Sequence, residues 1–249
     1  MTNIIDTKNL SLEASLKEYF GFNSFRPYQK EIVSLIIEGK DVVAIMPTGS
    51  GKSLCYQLPA LLMPGTAIVV SPLIALMQDQ VKGLEKNNIK VAYINSSLSG
   101  REISRILANL AQYKLLYVAP ERFSSEYFEE IITRAKVSFV VVDEAHCISQ
   151  WGHSFRPEYR NLAVLKKLFP GRPVVAFTAT ATLQVEADII DQLNLKAPSL
   201  VKGSFDRPNL SLRINERVDK NAQMLEFLKT HQANSGIIYT ATRQKTEDV

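Results

Sequence analysis

The sequence has 249 residues, a length that suits one large domain or one and a half ordinary ones. Hydrophobic residues make up 46% and charged residues 22%, so the chain can bury a full core and does not have the composition of a disordered protein. The formal net charge of +4 is compatible with a nucleic-acid partner and equally with an ordinary, slightly basic enzyme.

The number of cysteines and the distribution of apolar residues indicate the cellular environment of the protein. Cys55 and Cys147 are too few and too far apart for a metal cluster or a disulfide framework, which favours a reduced, intracellular protein. Residues 1–6 lack the charged leader and apolar core of a secretory signal. The most apolar stretch, residues 54–70, is interrupted by glutamine, proline and glycine, so we expect no membrane partner.

Short apolar runs rich in β-branched residues recur along the chain and predict strands that are buried on both faces. These runs are residues 41–46, 67–71, 91–95, 115–119, 139–142 and 174–178. Stretches with helical spacing lie between them, at residues 28–37, 73–86, 101–110 and 183–193. The alternation predicts an α/β fold with a parallel sheet that is covered by helices on both faces and joined by right-handed crossovers.

The sequence Lys-Ala-Pro-Ser at 196–199 indicates a domain boundary. We therefore predict a first domain at residues 1–198 and the start of a second at residues 199–249. In the second, residues 211–214 and 236–240 have strand-like patterns, and residues 222–231 have a helical one. About fifty residues are too few to close an independent α/β core, so we expect this second domain to be incomplete.

A candidate phosphate-binding loop follows the first predicted strand and precedes a helical stretch. Gly49 and Gly51 let the backbone turn so that its N–H groups converge on phosphate oxygens near a helix N-terminus. Lys52 would reach the β- and γ-phosphates, and the Ser53 hydroxyl would ligate Mg²⁺. A glycine turn with a chance lysine is the alternative interpretation. The predicted nucleotide contacts of the loop are Thr48, Gly49, Ser50, Gly51, Lys52 and Ser53.

A second motif, Asp143-Glu144, ends the apolar run at 139–142. Asp143 can hold Mg²⁺, usually through water, because Mg²⁺ gives up its hydration shell reluctantly. Glu144 can orient or deprotonate an attacking water. Alone, the pair could be a solvated strand end. Combined with the phosphate loop, it predicts the hydrolysis of ATP or another nucleoside triphosphate.

The residues around both motifs resemble the RecQ family of superfamily-two DNA helicases. The resemblance is carried by MPTGSGKSLCYQ at 46–57 and DEAHCISQWGH at 143–153, and it extends from about residue 19 to residue 242. Met46 replaces the usual first glycine of the loop pattern, a replacement that helicase-type loops tolerate. The resemblance implies RecA-like motor domains, ATP and Mg²⁺ as ligands, and a role for His146 beside Lys52, Asp143 and Glu144.

The segment FRPYQ at 25–29 is similar to the family's adenine-recognition motif. By that resemblance, the Gln29 amide would pair with the adenine edge, Phe22 would stack on the ring, and Arg26 would support the pocket. The same residues could instead form a helix start with an aromatic staple. The family interpretation predicts a preference for ATP over GTP.

The segment 149–159 resembles the family's aromatic-rich loop. Together with the preceding Ile148 it reads ISQWGHSFRPEY. Stacking of a base on an aromatic ring contributes about 1–3 kcal/mol and tolerates any sequence. The loop directly follows the catalytic carboxylates, so contact with DNA could move residues that adjoin Glu144. A packed surface loop is the alternative. The predicted DNA-binding residues of this segment are Gln150, Trp151, His153, Phe155 and Arg156.

Further segments resemble the family's strand-contacting and coupling motifs. Ser71 and Arg122 would touch the DNA backbone, which positions the strand without reading its sequence. Thr178 and Thr180 would couple the nucleotide state to domain closure through bonds to Asp143 or His146. Residues 204–210 and 236–239 resemble the opening of a second motor domain.

The resemblance implies a DNA-stimulated ATPase that moves 3′ to 5′ on single-stranded DNA and unwinds duplex junctions in repair and recombination. An arginine finger from a complete second domain is worth roughly 10³–10⁵ in rate, so we expect the given chain to turn over poorly and not to unwind. An RNA helicase, a non-catalytic binding module and a small-molecule kinase are the alternatives. We expect a cytoplasmic location, near the nucleoid in a bacterium or in the nucleus of a eukaryote. The sequence does not identify any protein partners, which stay unknown.

Overall fold

The computed structural model describes residues 11–151, 154–204, 206, 209–216 and 219–247. The chain divides into two compact units, residues 1–206 and residues 207–249. None of the helices in these described ranges is long and apolar enough to cross a membrane.

The first unit is built on a seven-stranded sheet in which every pair of neighbouring strands is parallel. The spatial order is β3-β4-β2-β5-β6-β1-β7. The strands are β1 Val42–Ile45, β2 Thr66–Val70, β3 Val91–Ile94, β4 Leu115–Val118, β5 Val137–Val142, β6 Val174–Thr178 and β7 Ser199–Lys202. All six strands expected from the apolar runs are present, which confirms the predicted α/β class.

Helices cover both faces of the sheet and enclose a separate apolar cluster on each side. They are α1 Leu12–Phe20, α2 Gln29–Ile37, α3 Lys52–Leu62, α4 Ile74–Lys86, α5 Gly100–Ala108, α6 Glu126–Thr133, α7 Leu165–Leu168 and α8 Leu183–Gln192. Short 3₁₀ turns at 120–124, 145–148 and 157–164 follow strands β4 and β5. Helix α5 begins at a capping box in which the Ser99 and Glu102 side chains satisfy each other's backbone N–H groups.

The sheet extends beyond the boundary that the sequence predicted at residue 198. Strand β7 pairs with β1 in parallel, and the N–H of Gly203 donates to the carbonyl of Ile45 at 2.8 Å. Strand β7 therefore belongs to the first unit, and the division falls after residue 206 instead. Only Val201 of its four residues is buried, because β7 is an edge strand, and its apolar pattern is correspondingly weak.

The second unit contains α9 Lys220–Thr230, capped by Asp219, and α10 Arg243–Glu247. Residues 211–214 and 236–240 were predicted as strands but have no strand structure. A strand acquires its hydrogen bonds only from a neighbouring strand, and the described residues of this unit contain no such partner. That this unit opens a second RecA-like domain stays a prediction.

Candidate nucleotide-binding and catalytic site

The parallel sheet brings the predicted motifs together at one edge. The phosphate loop follows β1, the carboxylate pair follows β5, and Thr178 ends β6, which lies between those two strands. Because all strands run in the same direction, their carboxyl ends meet at the same edge, where ligands of open α/β sheets bind.

Glycine is required in the phosphate loop for its conformation and for space. Gly49 and Gly51 have φ angles of 81° and 83°, in the left-handed region that L side chains rarely adopt. A Cβ at Gly51 would overlap with the side-chain nitrogen of Gln29. Met46, at the position of the usual first glycine, is buried and donates its N–H to the carbonyl of Thr178 at 3.0 Å. The replaced position is therefore a core position.

The polar side chains of the loop are arranged to receive a ligand. Lys52 begins helix α3, and its Nζ donates to the carbonyl of Met46 at 3.2 Å. The Ser50 hydroxyl is buried without a hydrogen-bond partner. A buried polar atom without a partner is costly, and a phosphate oxygen would satisfy it. The loop thus has the shape, the cation and an unsatisfied hydroxyl that a triphosphate needs.

The predicted adenine residues contact the loop itself. Arg26 Nη1 donates to the Gly49 carbonyl at 2.7 Å, and Gln29 Nε2 donates to the carbonyls of Ser50 and Gly51 at 3.1 and 3.2 Å. Gln29 Oε1 accepts from the Arg26 N–H at 2.9 Å, so the buried amide is fully engaged. Phe22 is 53% exposed and open to stacking. Adenine pairing by Gln29 stays a prediction, whereas bracing of the loop by Gln29 is what the structure shows.

Asp143 lies at the end of β5 in a buried position. Burial, followed by repulsion from Glu144, raises the pKa of Asp143 to about 6, while the Glu144 N–H and the charge of Lys52 act in the opposite direction. The backbone of Asp143 is held on both sides: its N–H donates to Val70 at 2.8 Å, and its carbonyl accepts the Tyr159 hydroxyl at 2.8 Å. The backbone of Asp143 is therefore fixed, and the charge of its buried carboxylate is poorly compensated, which suits the carboxylate to bind a cation.

A magnesium ion fits this environment. The described residues contain no group of three or more His, Cys, Asp and Glu side chains that could form an all-protein cage. Mg²⁺ is commonly held by one or two carboxylates together with substrate phosphates and waters. Asp143 and Ser53 would be its protein ligands, as predicted from the sequence.

Glu144 and His146 form a connected group with β6. Glu144 has a φ angle of 49°, a left-handed conformation that turns the chain out of β5. Its Oε2 lies 3.3 Å from His146 Nδ1, which also lies 3.0 Å from the Thr178 hydroxyl. The Thr178 hydroxyl donates to the Thr180 carbonyl at 2.9 Å. Of the two partners expected for these threonines, the structure shows His146.

The aromatic loop lies directly beyond this group. Trp151 is 77% exposed, and Gln150 is exposed beside it. Phe155 is half-buried, with the Arg160 guanidinium 5.1 Å from its ring centre. Arg156 Nη1 donates to the Pro72 carbonyl at 3.1 Å. His153 lies outside the described residues.

A cleft of about 400 Å³ is lined by residues of the phosphate loop, the turn after β5, the aromatic loop and the segment after β6. Its lining includes Thr48, Glu144, His146, Arg156 and Thr180. Residues predicted for nucleotide binding, catalysis and DNA contact therefore share one cavity.

The two predicted contacts with the DNA backbone point inward in this structure. Ser71 is buried and its hydroxyl has no hydrogen-bond partner. Arg122 Nη2 donates to the Asn95 carbonyl at 2.6 Å, while its Nε is buried without a partner. Contact of these groups with DNA stays a prediction and would require them to become accessible. Asn95, fully buried at the end of β3, was not anticipated from the sequence.

The parallel sheet, the glycine-containing loop after β1 and the carboxylate pair after β5 define an α/β domain of the nucleotide-binding class. The sequence profile of the DEAD/DEAH box helicases matches residues 26–189, and the chain belongs to that family. The chain is 45% identical over 236 residues to the ATP-dependent DNA helicase RecQ of Haemophilus influenzae, covering 94% of this chain and 38% of that protein. For RecQ of Bacillus subtilis the identity is 45% over 241 residues, with 95% and 41% covered. These relatives confirm the resemblance to RecQ, and the chain spans about two fifths of their length.

Solved structures support the fold alone. The DUF1998 helicase MrfA has a TM-score of 0.68 at 20% identity, covering 100% of this chain and 40% of that one. The helicase domain of Hef from Pyrococcus furiosus has a TM-score of 0.58 at 21% identity, covering 74% and 39%. Both similarities confirm the RecA-like character predicted for the first unit.

Proposed function

We propose that this chain binds and hydrolyses ATP in response to single-stranded DNA, as the first motor domain of a RecQ-type helicase. The parent protein would move 3′ to 5′ and open duplex junctions during repair and recombination. One observation carries the proposal. A single segment of the chain beside the phosphate loop contains the carboxylate pair Asp143-Glu144, His146 and the exposed Trp151.

Binding of the triphosphate begins with the loop between β1 and α3. Backbone N–H groups at the start of α3 and the Ser50 hydroxyl would donate to phosphate oxygens. The Lys52 ammonium would exchange the Met46 carbonyl, 3.2 Å away, for the β- and γ-phosphates. Mg²⁺ held by Ser53 and Asp143 would neutralise charge on the phosphate oxygens.

Hydrolysis would depend on proton transfer to Glu144. Its carboxylate would orient the attacking water and accept its proton, a function worth about 10²–10⁴ in rate. His146 lies between this carboxylate and the Thr178 hydroxyl, so a movement of β6 or of the following residues would displace the base. Movement at Thr178 and Thr180 would therefore change the position of Glu144.

DNA would enter on the side of Trp151. Its exposed ring offers a stacking platform that is indifferent to base identity, which suits a translocating motor. Arg156 ties the far end of the loop to the segment after β2 and, through its N–H, to the Cys147 carbonyl at 3.0 Å. Displacement of the loop would therefore reach the turn at 145–148 that carries His146.

Steady-state ATP hydrolysis with and without oligodeoxythymidine tests the proposal. We would compare the 249-residue chain with a version extended through a complete second motor domain, each with Glu144→Gln as the control. The expected result is strong DNA stimulation in the extended version and its loss in Glu144→Gln by about 10²-fold or more. An extended version that binds DNA but shows no DNA-dependent turnover would refute the proposal. Strong stimulation of the short chain would show that it assembles a complete site.

A further inference from the structure

The base of the aromatic loop is fastened to helix α8 by a partly buried hydrogen bond. The Ser149 hydroxyl donates to Asp188 Oδ2 at 2.5 Å and accepts the backbone N–H of Trp151 at 3.1 Å. Ser149 itself is 1% exposed. The exposed tryptophan therefore lies two residues beyond an anchored, buried position.

Asp188 connects this anchor to helix α8, which begins shortly after Thr178 and Thr180. Its second oxygen accepts from Gln184 Nε2 at 3.1 Å, one turn earlier on α8. Helix α8 is capped by Thr182, which follows Thr180 by two residues, and it packs against the turns at 145–148 and 157–164. The turn that carries His146 and the Ser149 anchor that follows it therefore both contact helix α8.

We propose that Asp188 is a positioning residue for the aromatic loop. Its carboxylate holds Ser149 so that Trp151 is presented at a fixed place, and it transmits displacement of the loop to α8 and the preceding Thr180. The transmission rests on the proposed DNA-stimulated activity, whereas the anchoring of the loop does not.

The chemistry explains why an anionic acceptor stands at this position. A serine hydroxyl has one proton to donate and two lone pairs to offer. Donation to the Asp188 carboxylate commits the proton and leaves the lone pairs directed at the Trp151 N–H, and an ionised acceptor strengthens such a chain of bonds. Without the carboxylate, the buried hydroxyl is free to rotate and the loop loses its fixed start.

The anchor can be measured directly because Trp151 is the chain's single tryptophan. We would record its fluorescence anisotropy, without DNA, in Asp188→Ala and Ser149→Ala and in the double variant. Asp191→Ala, an exposed aspartate on the same helix, is the matched control. We expect lower anisotropy in both single variants, no further loss in the double variant, and an unchanged value in the control. Asp188→Asn, which keeps one side-chain oxygen as an acceptor, should recover most of the anisotropy.

A second measurement tests transmission in the extended, DNA-stimulated version of the protein. Asp188→Ala should raise the concentration of oligodeoxythymidine for half-maximal ATPase stimulation about three- to tenfold and leave the KM for ATP unchanged. A merely structural defect would alter both. Identical anisotropy and DNA response in Asp188→Ala and Asp191→Ala would overturn the proposal. Failure of the unsubstituted protein to bind DNA would refute the proposed function, and the anisotropy would still decide the anchor.

Discussion

Alanine at position 51 tests whether the phosphate loop and Gln29 fit together as the structure shows. Gly51 has a φ angle of 83°, and an added Cβ would overlap with Gln29 Nε2. The left-handed conformation costs a residue with a Cβ about 1–2 kcal/mol. Displacement of Gln29 would remove its bonds to the carbonyls of Ser50 and Gly51, each worth about 1 kcal/mol. The summed loss is about 3–4 kcal/mol in the free energy of unfolding.

The assay is urea denaturation combined with titration of a fluorescent ATP analogue. Gly83→Ala is the matched control, because Gly83 lies inside α4 with open space around its Cα, and alanine there should stabilise the protein by up to about 1 kcal/mol. Adding Gln29→Ala to Gly51→Ala should cost little further stability, because displacement of Gln29 has already removed its two bonds to the loop. If Gly51→Ala has the same stability to urea and the same affinity for the ATP analogue as the unsubstituted chain, the proposed fit of loop and glutamine is wrong.

Three further expectations follow from other parts of the site. Lys52→Ala should abolish measurable ATPase activity in the extended version and lower the free energy of unfolding by no more than about 1 kcal/mol, since the partly buried amine gives up its hydrogen bond to the Met46 carbonyl; a retained rate would contradict its phosphate role. Tyr159→Phe should cost about 1–2 kcal/mol in urea denaturation, because it leaves the buried Asp143 carbonyl without its 2.8 Å partner, and unchanged stability would contradict that bond's importance. Burial raises the pKa of the Cys55 thiol to about 12 and that of Cys147 to about 11. Both should therefore resist a thiol reagent at pH 8 until urea is added, and stability should fall as the pH rises above about 9, where only the unfolded thiols ionise; rapid labelling of the native chain would contradict this.

The sequence predicted those parts of the molecule whose signals are local. Strand β5, with six consecutive buried residues, and the glycines of the phosphate loop each carry their pattern within a few neighbouring positions. Edge strand β7 escaped because burial of Val201 alone leaves no periodicity, and its structure comes from pairing with β1, more than 150 residues earlier in the chain.

Polar contacts between residues far apart in the sequence were also not predicted. Ser149 and Asp188 are 39 positions apart, and neither has a residue type that distinguishes an anchor from a solvated side chain. Gln29 was predicted to contact a base because its amide can donate and accept, but the same property lets it brace the loop. A side chain's partner depends on which strands become neighbours, which a single sequence reveals only through the fold.

The backbone of Glu144 offers a last test, because its φ angle of 49° turns β5 into the turn that carries His146. Glycine is ordinarily less stable than alanine by about 0.5–1 kcal/mol inside regular structure, but in the left-handed region the order inverts by about 1–2 kcal/mol. Glu144→Gly should therefore unfold at a higher urea concentration than Glu144→Ala, although both lack the catalytic carboxylate. Ala75→Gly in α4 is the control and should show the ordinary order. If Glu144→Ala is the more stable of the two, the left-handed turn does not hold His146 against Thr178, and the connection between the catalytic carboxylate and β6 must be abandoned.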